Sequence, residues 1–410
     1  MNVAFEIAKR IAFNKQRSFS KFIIRLSVTA TAVSVIAMIV TLAFVNGFQQ
    51  TVSQKVFSFW GHIRVQHFEA GKSLVAEESP IAANDTVERI LTMQYHVMQV
   101  QPFATKSAVI QNKKEIGGIL FKGVDSNYNG AQLQRFIVEG KWLSFNDSLY
   151  SHEIILSAPI AKQLLLHTGD TLAIYFISRG ESASSFRKLK VAGIYKTGIE
   201  EYDNLFAIGD IRLIRRINGW QPNEIGGYEV FVKDYKEMDT TSAQFLERLP
   251  ALWTSKTVRE VYPNIFDWLN ILDMNRNVVF IVMAIVAIIN LVTCLLILVL
   301  ERTRMVGVLK AIGAEDGMIR NIFIYYASLI TLAGVGIGAI AGVGLCLLQQ
   351  ATGLIKLDES NYYVSVAPIQ IIWWQVAAVC IATAVICFLS LIIPTLIVKK
   401  IQPVKAIEFR

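Results

Sequence analysis

Four windows of this sequence are long, apolar and free of charged residues and histidine, and they constrain the fold more than any other feature. Each is longer than the roughly 20 residues that a helix needs to cross a hydrocarbon core about 30 Å thick. One charge at mid-span would oppose insertion by roughly 2.5 to 3.5 kcal/mol, so the windows predict four transmembrane helices rather than helices buried in a soluble core. The windows are residues 26–47, 278–300, 322–349 and 371–398.

The basic residues cluster in the segments that flank these windows. Fourteen Lys and Arg residues, against five acidic ones, fall in residues 1–25, 301–321 and 399–410, while the whole chain has a formal charge of +8. Because Lys and Arg are retained on the cytoplasmic side of a membrane, the termini and the 301–321 loop are predicted to be cytoplasmic. The positive charge therefore requires no nucleic-acid partner.

The region between the first two windows, residues 48–277, is predicted to be a large α+β domain outside the membrane. Residues 61–68 alternate like a strand and residues 85–93 read as a helix, and a long tract of short β-like runs follows before the strand-helix pattern returns. This order predicts a domain in two parts, 48–100 and 222–277, split by a β-rich insertion, 101–221. The end of the second part, from residue 264, is predicted to continue the second span outward as a stalk helix.

Several kinds of site are not predicted from the sequence. All four cysteines fall within the apolar windows, so the outer region is expected to contain no disulfide, and its histidines lack the spacing of metal ligands. The "GKS" at 71–73 lacks the earlier glycine of a Walker A loop. We therefore expect no catalytic residue, no metal and no nucleotide cofactor in this chain. The first window offers no cleavage site and is expected to stay attached as an anchor.

The loop after the second span contains a short amphipathic segment, "ERTRMVGVLKAIGAED" at 301–316. An apolar stripe at helical spacing, with basic residues elsewhere and a glycine at its end, predicts a helix that inserts into a groove on a cytoplasmic partner. A helix lying on anionic lipid is the alternative. The residues of this candidate coupling site are Arg302, Arg304, Met305, Val308, Leu309, Lys310, Ile312 and Gly313.

Together with its neighbours, this segment resembles a known family. "ERTRMVGVLKAIGA", the following "IRNIFIYYASLITLAGVGIGAIAGVGL" and the terminal "KKIQPVKAIEFR" resemble the permease subunits of the MacB/FtsX-like ABC transporter superfamily. "FEIAKRIAF", "NGFQQTVSQKVFSFWGHIRV", "GVDSNYN" and "RKLKVAGIYKTGIEEYDNLFAI" are similar to the lipoprotein-releasing Lol permeases within it.

The resemblance implies an inner-membrane permease with four transmembrane helices and a periplasmic domain made of Porter and β-rich Sabre subdomains. Its implied partners are two copies of a separate ATPase, which binds the ATP and Mg, a second permease copy or homologue, an acylated lipoprotein and a periplasmic carrier. Residues 1–25 would form an elbow helix on the inner membrane face, and residues 350–370 a periplasmic loop. The hairpin at 176–190 is short and lacks proline, unlike the hook with which one permease type grips the carrier, so carrier binding is left open.

A lipid cargo requires an apolar path. Exposing the roughly 45 methylenes of a triacyl anchor to water would cost on the order of 36 kcal/mol, at about 0.8 kcal/mol each. Gly334, Gly338 and Gly342 form a small-residue face that predicts close helix packing. The cavity is predicted to be lined by Ile39, Val40, Leu42, Phe44, Val45, Met274, Val278 and Val282.

Other functions are compatible with the same architecture. A MacB-like permease would export a peptide or toxin, and an FtsX-like one would use ATPase strokes to activate a cell-wall hydrolase. The outer region is larger than such a regulator needs. A membrane-tethered binding domain without an ATPase would leave the apolar stripe of 301–316 unexplained.

Overall fold

The computed structural model describes residue 6 and residues 19–69, 79–147, 149–177 and 185–390. Most of the elbow helix predicted for residues 1–25 lies outside the described residues, and residues 19–25 are the start of a longer helix. The "GKS" at 71–73, the end of the fourth window beyond residue 390 and the tail at 399–410 also lie outside the described residues.

The described chain contains helices and strands that we number in chain order. The helices are α1 (Phe19–Trp60), α2 (Asp85–Thr92), α3 (Ala131–Gln134), α4 (Ala158–Gln163), α5 (Glu200–Asp203), α6 (Ile211–Asn218), α7 (Met238–Arg248), α8 (Val258–Val261), α9 (Pro263–Glu301), α10 (Thr303–Ala311), α11 (Asp316–Thr352), α12 (Glu359–Tyr362) and α13 (Trp373–Ser390). The strands are β1 (Ile63–His67), β2 (Ile81–Ala82), β3 (Val97–Asn112), β4 (Glu115–Val124), β5 (Ile137–Gly140), β6 (Glu153–Ser157), β7 (Thr171–Phe176), β8 (Ser185–Tyr195), β9 (Phe206–Asp210), β10 (Glu224–Ile225), β11 (Gly227–Val232) and β12 (Trp253–Thr257).

The chain divides into two compact units, which we name the membrane unit and the outer unit. The membrane unit is Met1–Gln49, Leu269–Lys356 and Val366–Arg410, and the outer unit is Gln50–Trp268 and Leu357–Ser365. The outer unit therefore includes part of the loop that the sequence places between the third and fourth spans.

The membrane unit contains the apolar helices. Four helices in the described residues, α1, α9, α11 and α13, are long and apolar enough to cross a membrane, and each coincides with one of the four predicted windows. α1 is longer than its window: it begins at Phe19 and continues past Gly47 to Trp60. Phe48, Val52 and Val56 are buried at intervals of four residues, so an apolar stripe extends the helix beyond the span.

One end of the large sheet in the outer unit has the topology of a split β-α-β-β-α-β fold. The strand order there is β12-β1-β11-β3, with all neighbours antiparallel, and α2 and α7 pack against β3 and β12. α2 starts where the Asn84 side chain accepts hydrogen bonds from the backbone N–H groups of Thr86 and Val87, and it buries Val87 and Leu91. This motif combines chain segments that lie on both sides of the β-rich tract.

The remainder of the sheet is reached through β3, which is 16 residues long and changes partners within its length. Its first half, to Phe103, pairs with β11, and from Ala104 it pairs with β4. From there the pairings β4-β9, β9-β6, β6-β8, β8-β7 and β7-β3 close a ring of six strands, as in a small barrel. A single continuous strand thus joins the two parts of the outer unit.

A buried ion pair lies in the outer unit. The ammonium of Lys122 on β4 is 2.6 Å from Glu229 Oε1 on β11, and both side chains are fully buried. Lys122 also donates to the carbonyl of Phe59, and the Tyr128 hydroxyl donates to Glu229 Oε2 at 3.1 Å. The guanidinium of Arg64 stacks on the Trp60 ring, 4.2 Å from its centroid. These contacts offset part of the cost of burying the charges.

Candidate functional site

The amphipathic segment after the second span forms α10, a separate nine-residue helix. The helix path breaks at Arg302, which stands between α9 and α10 with φ −100° and ψ 15°. Val306 is completely buried in a cluster with Leu298 of α9 and Phe323 of α11. α10 is therefore anchored on one side to the two spans that it connects.

The predicted apolar stripe of α10 is divided between two faces. Met305 and Leu309 pack against the buried cluster of α9 and α11. Val308 and Ile312 point away from it and are 50% and 75% exposed. The exposed apolar surface of α10 is thus narrower than the sequence predicts, and consists of Val308 and Ile312 with the exposed Arg304 beside them.

The turn after α10 is fixed by two features. Gly313 has φ +93°, a left-handed conformation that suits glycine, and directly follows the C-cap residue Ile312. Lys310 forms an ion pair with Asp316, the first residue of α11, with Nζ 2.9 Å from Oδ1 and only 12% of the lysine side chain exposed. Lys310 therefore stabilises the turn between α10 and α11. Arg304, in contrast, is exposed.

The predicted cavity residues of α9 lie on an exposed apolar face. Met274, Val278 and Val282 are all exposed, and Ile281 and Ile285 extend the same side of the helix. Nothing in the described part of this chain covers that face, so α9 presents an exposed apolar surface.

The predicted cavity residues of α1 are placed differently. Ile39, Leu42 and Val45 are buried, the first two in a cluster with residues of α11 and α13, whereas Val40 and Phe44 are half-buried. In this conformation the three buried side chains do not line an open surface, which differs from the expectation. Periodicity within α1 does not reveal that α11 packs so closely against this side.

The three glycines of the small-residue face lie against α1. A Cβ on Gly334 would be 2.8 Å from the Thr31 Cβ, and one on Gly342 would be 3.3 Å from the Ile39 Cβ. For Gly338 the contacts are the Ala32 carbonyl and the Val35 Cβ, both at 2.8 Å. The absence of side chains at these three glycines therefore allows the backbones of α1 and α11 to approach closely.

Two cavities accompany these features. In the membrane unit, an apolar cavity of about 260 Å³ lies between α1, α9 and α13, with Met38, Phe280 and Ala382 among its lining residues. In the outer unit, a polar cavity of about 360 Å³ is lined by residues that include His62 and Arg135. The backbone N–H of Val232 donates to His62 Nδ1, and burial lowers the pKa of this imidazole to about 4, so it is neutral at pH 7.

The His, Cys, Asp and Glu side chains of the described residues are dispersed. No group of three or more His, Cys, Asp or Glu side chains there is placed to hold a metal ion. The four cysteines are free thiols, and Cys294, Cys346 and Cys387 are buried in the membrane unit. The described residues also offer an exposed amphipathic helix, α10, and an exposed apolar face on α9.

Two families match the chain in consecutive parts. The MacB-like periplasmic core domain matches residues 26–247, which is more than half of the chain, and the FtsX-like permease C-terminal domain matches residues 277–403.

Curated relatives match over the whole length at modest identity. The "Lipoprotein-releasing system transmembrane protein LolE" of Haemophilus influenzae is 23% identical, with 100% of each chain covered. The "Lipoprotein-releasing system transmembrane protein LolC" of Neisseria meningitidis serogroup B is 23% identical, with 96% of each chain covered. The solved periplasmic region of MacB from Actinobacillus actinomycetemcomitans is 12% identical, with 50% of this chain and 91% of that chain covered and a TM-score of 0.33.

Proposed function

Because the chain belongs to the permease family that combines a MacB-like periplasmic core domain with an FtsX-like C-terminal domain, we propose that it releases lipoproteins. In this proposal it is the permease subunit of an ATP-driven transporter. It extracts acylated lipoproteins from the outer leaflet of the bacterial inner membrane and passes them toward a periplasmic carrier and the outer membrane. Support comes from relatives named for lipoprotein release that match this chain from end to end.

The observation that carries the proposal is the exposed apolar pair of α10. Val308 and Ile312 are exposed aliphatic side chains on a helix that is anchored to two spans. Burying each against a partner would contribute roughly 1.5 to 3 kcal/mol. Arg304 adds a cation suited to an acidic rim of the partner's groove. We propose that an ATPase subunit docks here, one copy on each of two permeases.

The ATPase, and not this chain, would bind ATP and Mg and perform the hydrolysis. The sequence offers no Walker A loop, so this chain would transmit the conformational change that ATP hydrolysis in the ATPase produces. Both termini and α10 would then lie in the cytoplasm, as the distribution of Lys and Arg predicts.

The exposed face of α9 is suited to the cargo. An anchor of about 45 methylenes costs on the order of 36 kcal/mol in water, so it must leave the bilayer along a continuous apolar surface. Met274, Val278 and Val282 provide such a surface over two turns of helix. A second permease copy or homologue facing it would enclose the acyl chains, and the apolar cavity between α9 and α13 could admit part of a chain.

Site-specific photocrosslinking tests the cargo. A photoreactive residue at Val278 or Val282, in cells that express the whole transporter, is expected to capture acylated lipoprotein. The control is Ile340, an aliphatic residue on α11 that is more exposed than either test position, where capture should stay at background. Capture of a soluble peptide, a toxin or a cell-wall hydrolase at the α9 positions, with no lipoprotein, would contradict the proposal.

A further inference from the structure

Residues 357–365, which we name the clasp, connect α11 to α13 in the chain but pack within the outer unit. The clasp consists of α12 and its flanks, and it is closed by a hydrogen bond from the Leu357 N–H to the Ser365 carbonyl at 3.0 Å. A loop that only connected two membrane-spanning helices would not need to pack in this way. The clasp is also separate from the proposed ATPase-docking and lipid-binding surfaces.

Glu359 is the centre of the contacts that hold the clasp. Its Oε2 is 2.5 Å from the ammonium of Lys196, which directly follows β8, and its Oε1 is 3.8 Å from the ammonium of Lys55 on α1. Lys55 also donates to the carbonyl of Tyr363 at 2.6 Å. Only 15% of the Lys55 side chain and 26% of the Glu359 side chain are exposed, so these charges are less screened than those of an open surface pair.

The backbone turn beside Glu359, residues 196–201, allows its carboxylate to approach closely. Gly198 has φ +77°, and a Cβ at this position would be 2.5 Å from Glu359 Oε1. The Asp203 carboxylate accepts from the N–H groups of Thr197, at 3.1 Å, and Gly198, at 2.8 Å, which fixes the turn. Glycine thus allows the carboxylate to approach the backbone as closely as it does.

Aromatic contacts add a second attachment. Trp268, in the first turns of α9, contacts the rings of Tyr362 and Tyr363, with centroid distances of 6.2 and 5.8 Å. The Tyr363 hydroxyl also lies 3.4 Å from Glu201 Oε1. Tyr363 has φ +59°, which is unfavourable for a residue other than glycine and persists only where surrounding contacts impose it. The clasp is therefore held in one conformation by α1, α9 and the Lys196–Glu201 turn.

We propose that the clasp is a mechanical tie, in which Glu359 fastens the connection between α11 and α13 to the parts of α1 and α9 that belong to the outer unit. α10 is followed directly by α11, which is 37 residues long and therefore about 55 Å long at 1.5 Å per residue. Movement of α10 thus reaches the outer unit by way of α11 and the clasp, in addition to the direct route along α9. Only the source of that movement, the docked ATPase, rests on the proposed function.

Hydrogen exchange in the full-length protein tests whether Glu359 fastens the clasp. Glu359→Lys places a cation beside Lys55 and Lys196 and is expected to speed exchange of the amides of Asn361, Tyr362 and Tyr363 by about tenfold or more. The double variant Lys196→Glu with Glu359→Lys restores one attraction and should recover much of the protection. The control, Lys188→Gln, removes an exposed lysine within β8 and should leave exchange unchanged. If these amides exchanged in Glu359→Lys as slowly as in the wild type, the proposal that Glu359 fastens the clasp would be refuted.

Release assays with the transporter in vesicles test its mechanical role. Glu359→Lys is expected to lower lipoprotein release per ATP hydrolysed by about tenfold while the ATPase stays bound and active, and the double variant should regain release. Normal release from a variant whose clasp exchanges freely would refute the tie. If the wild-type transporter released no lipoprotein, the proposed function would fail, while the exchange experiment would still decide whether the clasp is fastened.

Discussion

Gly338 of α11 lies against Val35 of α1 so closely that a Cβ on the glycine would be 2.8 Å from the Cβ of the valine. The Ala32 carbonyl is equally close on the same side. Both of these neighbours are helix backbone or atoms next to it, which cannot rotate away as the end of a long side chain can. The approach of α1 to α11 therefore depends on glycine at this position.

Gly338→Ala is expected to destabilise the membrane unit by about 1 to 3 kcal/mol, because the added methyl forces the two helices apart. Gly336→Ala is the matched control: it lies on the same helix two residues away, and a Cβ there meets no atom within 4 Å. Thermal unfolding of the two variants in detergent measures the difference. Equal stability of both variants would show that close packing at Gly338 contributes nothing.

The exposed pair on α10 gives a second prediction. Val308→Asp together with Ile312→Asp is expected to abolish co-purification of the ATPase, since two carboxylates replace the apolar contact, while the permease itself still folds. Leu309→Asp is a poor test, because Leu309 packs against the buried cluster of α9 and α11 and its loss would disturb the fold.

Arg320→Gln, an exposed change nearby on α11, is the control for that experiment and should leave ATPase binding intact. Wild-type recovery of the ATPase with the double aspartate variant would refute docking on α10. The alternative makes the opposite prediction: if α10 only lies on anionic lipid, the double aspartate variant keeps the ATPase.

The membrane-spanning helices could be predicted from the sequence because insertion depends on a local property, the absence of charge over about 20 residues. Strand β1 and helix α2 were also readable, since the alternation of 61–68 and the Asn84 cap are local signals. The helical period of 301–316 predicted α10 equally well. It did not reveal that Met305 and Leu309 turn inward, because that depends on where α9 and α11 lie.

Features formed by residues distant in sequence were missed. Lys196 and Glu359 are 163 positions apart, and nothing in either local sequence indicates the other. The burial of Ile39 likewise follows from the glycine face of a helix about 300 residues later. The buried ion pair is partly predictable, because a lysine within the apolar sequence of β4 requires a buried partner for its charge. The sequence around Lys122 does not show that this partner is Glu229.

The buried pair of Lys122 and Glu229 gives a third prediction. Lys122→Met leaves a carboxylate in the core without its closest cation and is expected to lower the free energy of unfolding of the outer unit by about 3 to 5 kcal/mol. Adding Glu229→Gln removes the uncompensated charge and should recover part of that loss. Chemical denaturation followed by tryptophan fluorescence measures both, because Trp60 lies beside Lys122, 4.5 Å from its ammonium. A double variant as unstable as the sum of the two single variants would contradict coupling between the residues.

His62 gives a prediction for pH. Burial lowers the pKa of its imidazole from 6.5 to about 4 in the folded protein, where Nδ1 accepts from the Val232 N–H. As the pH falls, the unfolded chain therefore binds this proton first. The stability that the neutral imidazole contributes is fully present above pH 6.5, and up to about 3 kcal/mol of it is lost as the pH falls toward 4.

His62→Asn keeps an acceptor near Nδ1 but cannot titrate, and should flatten the decline in stability over that interval. Asp125 and Asp203, whose carboxyl pKa values are raised by burial, titrate with the opposite sign in both proteins and so cancel in the comparison. Identical slopes for wild type and His62→Asn between pH 6.5 and pH 4, measured by hydrogen exchange of the outer unit, would show that the imidazole is not held neutral by its surroundings.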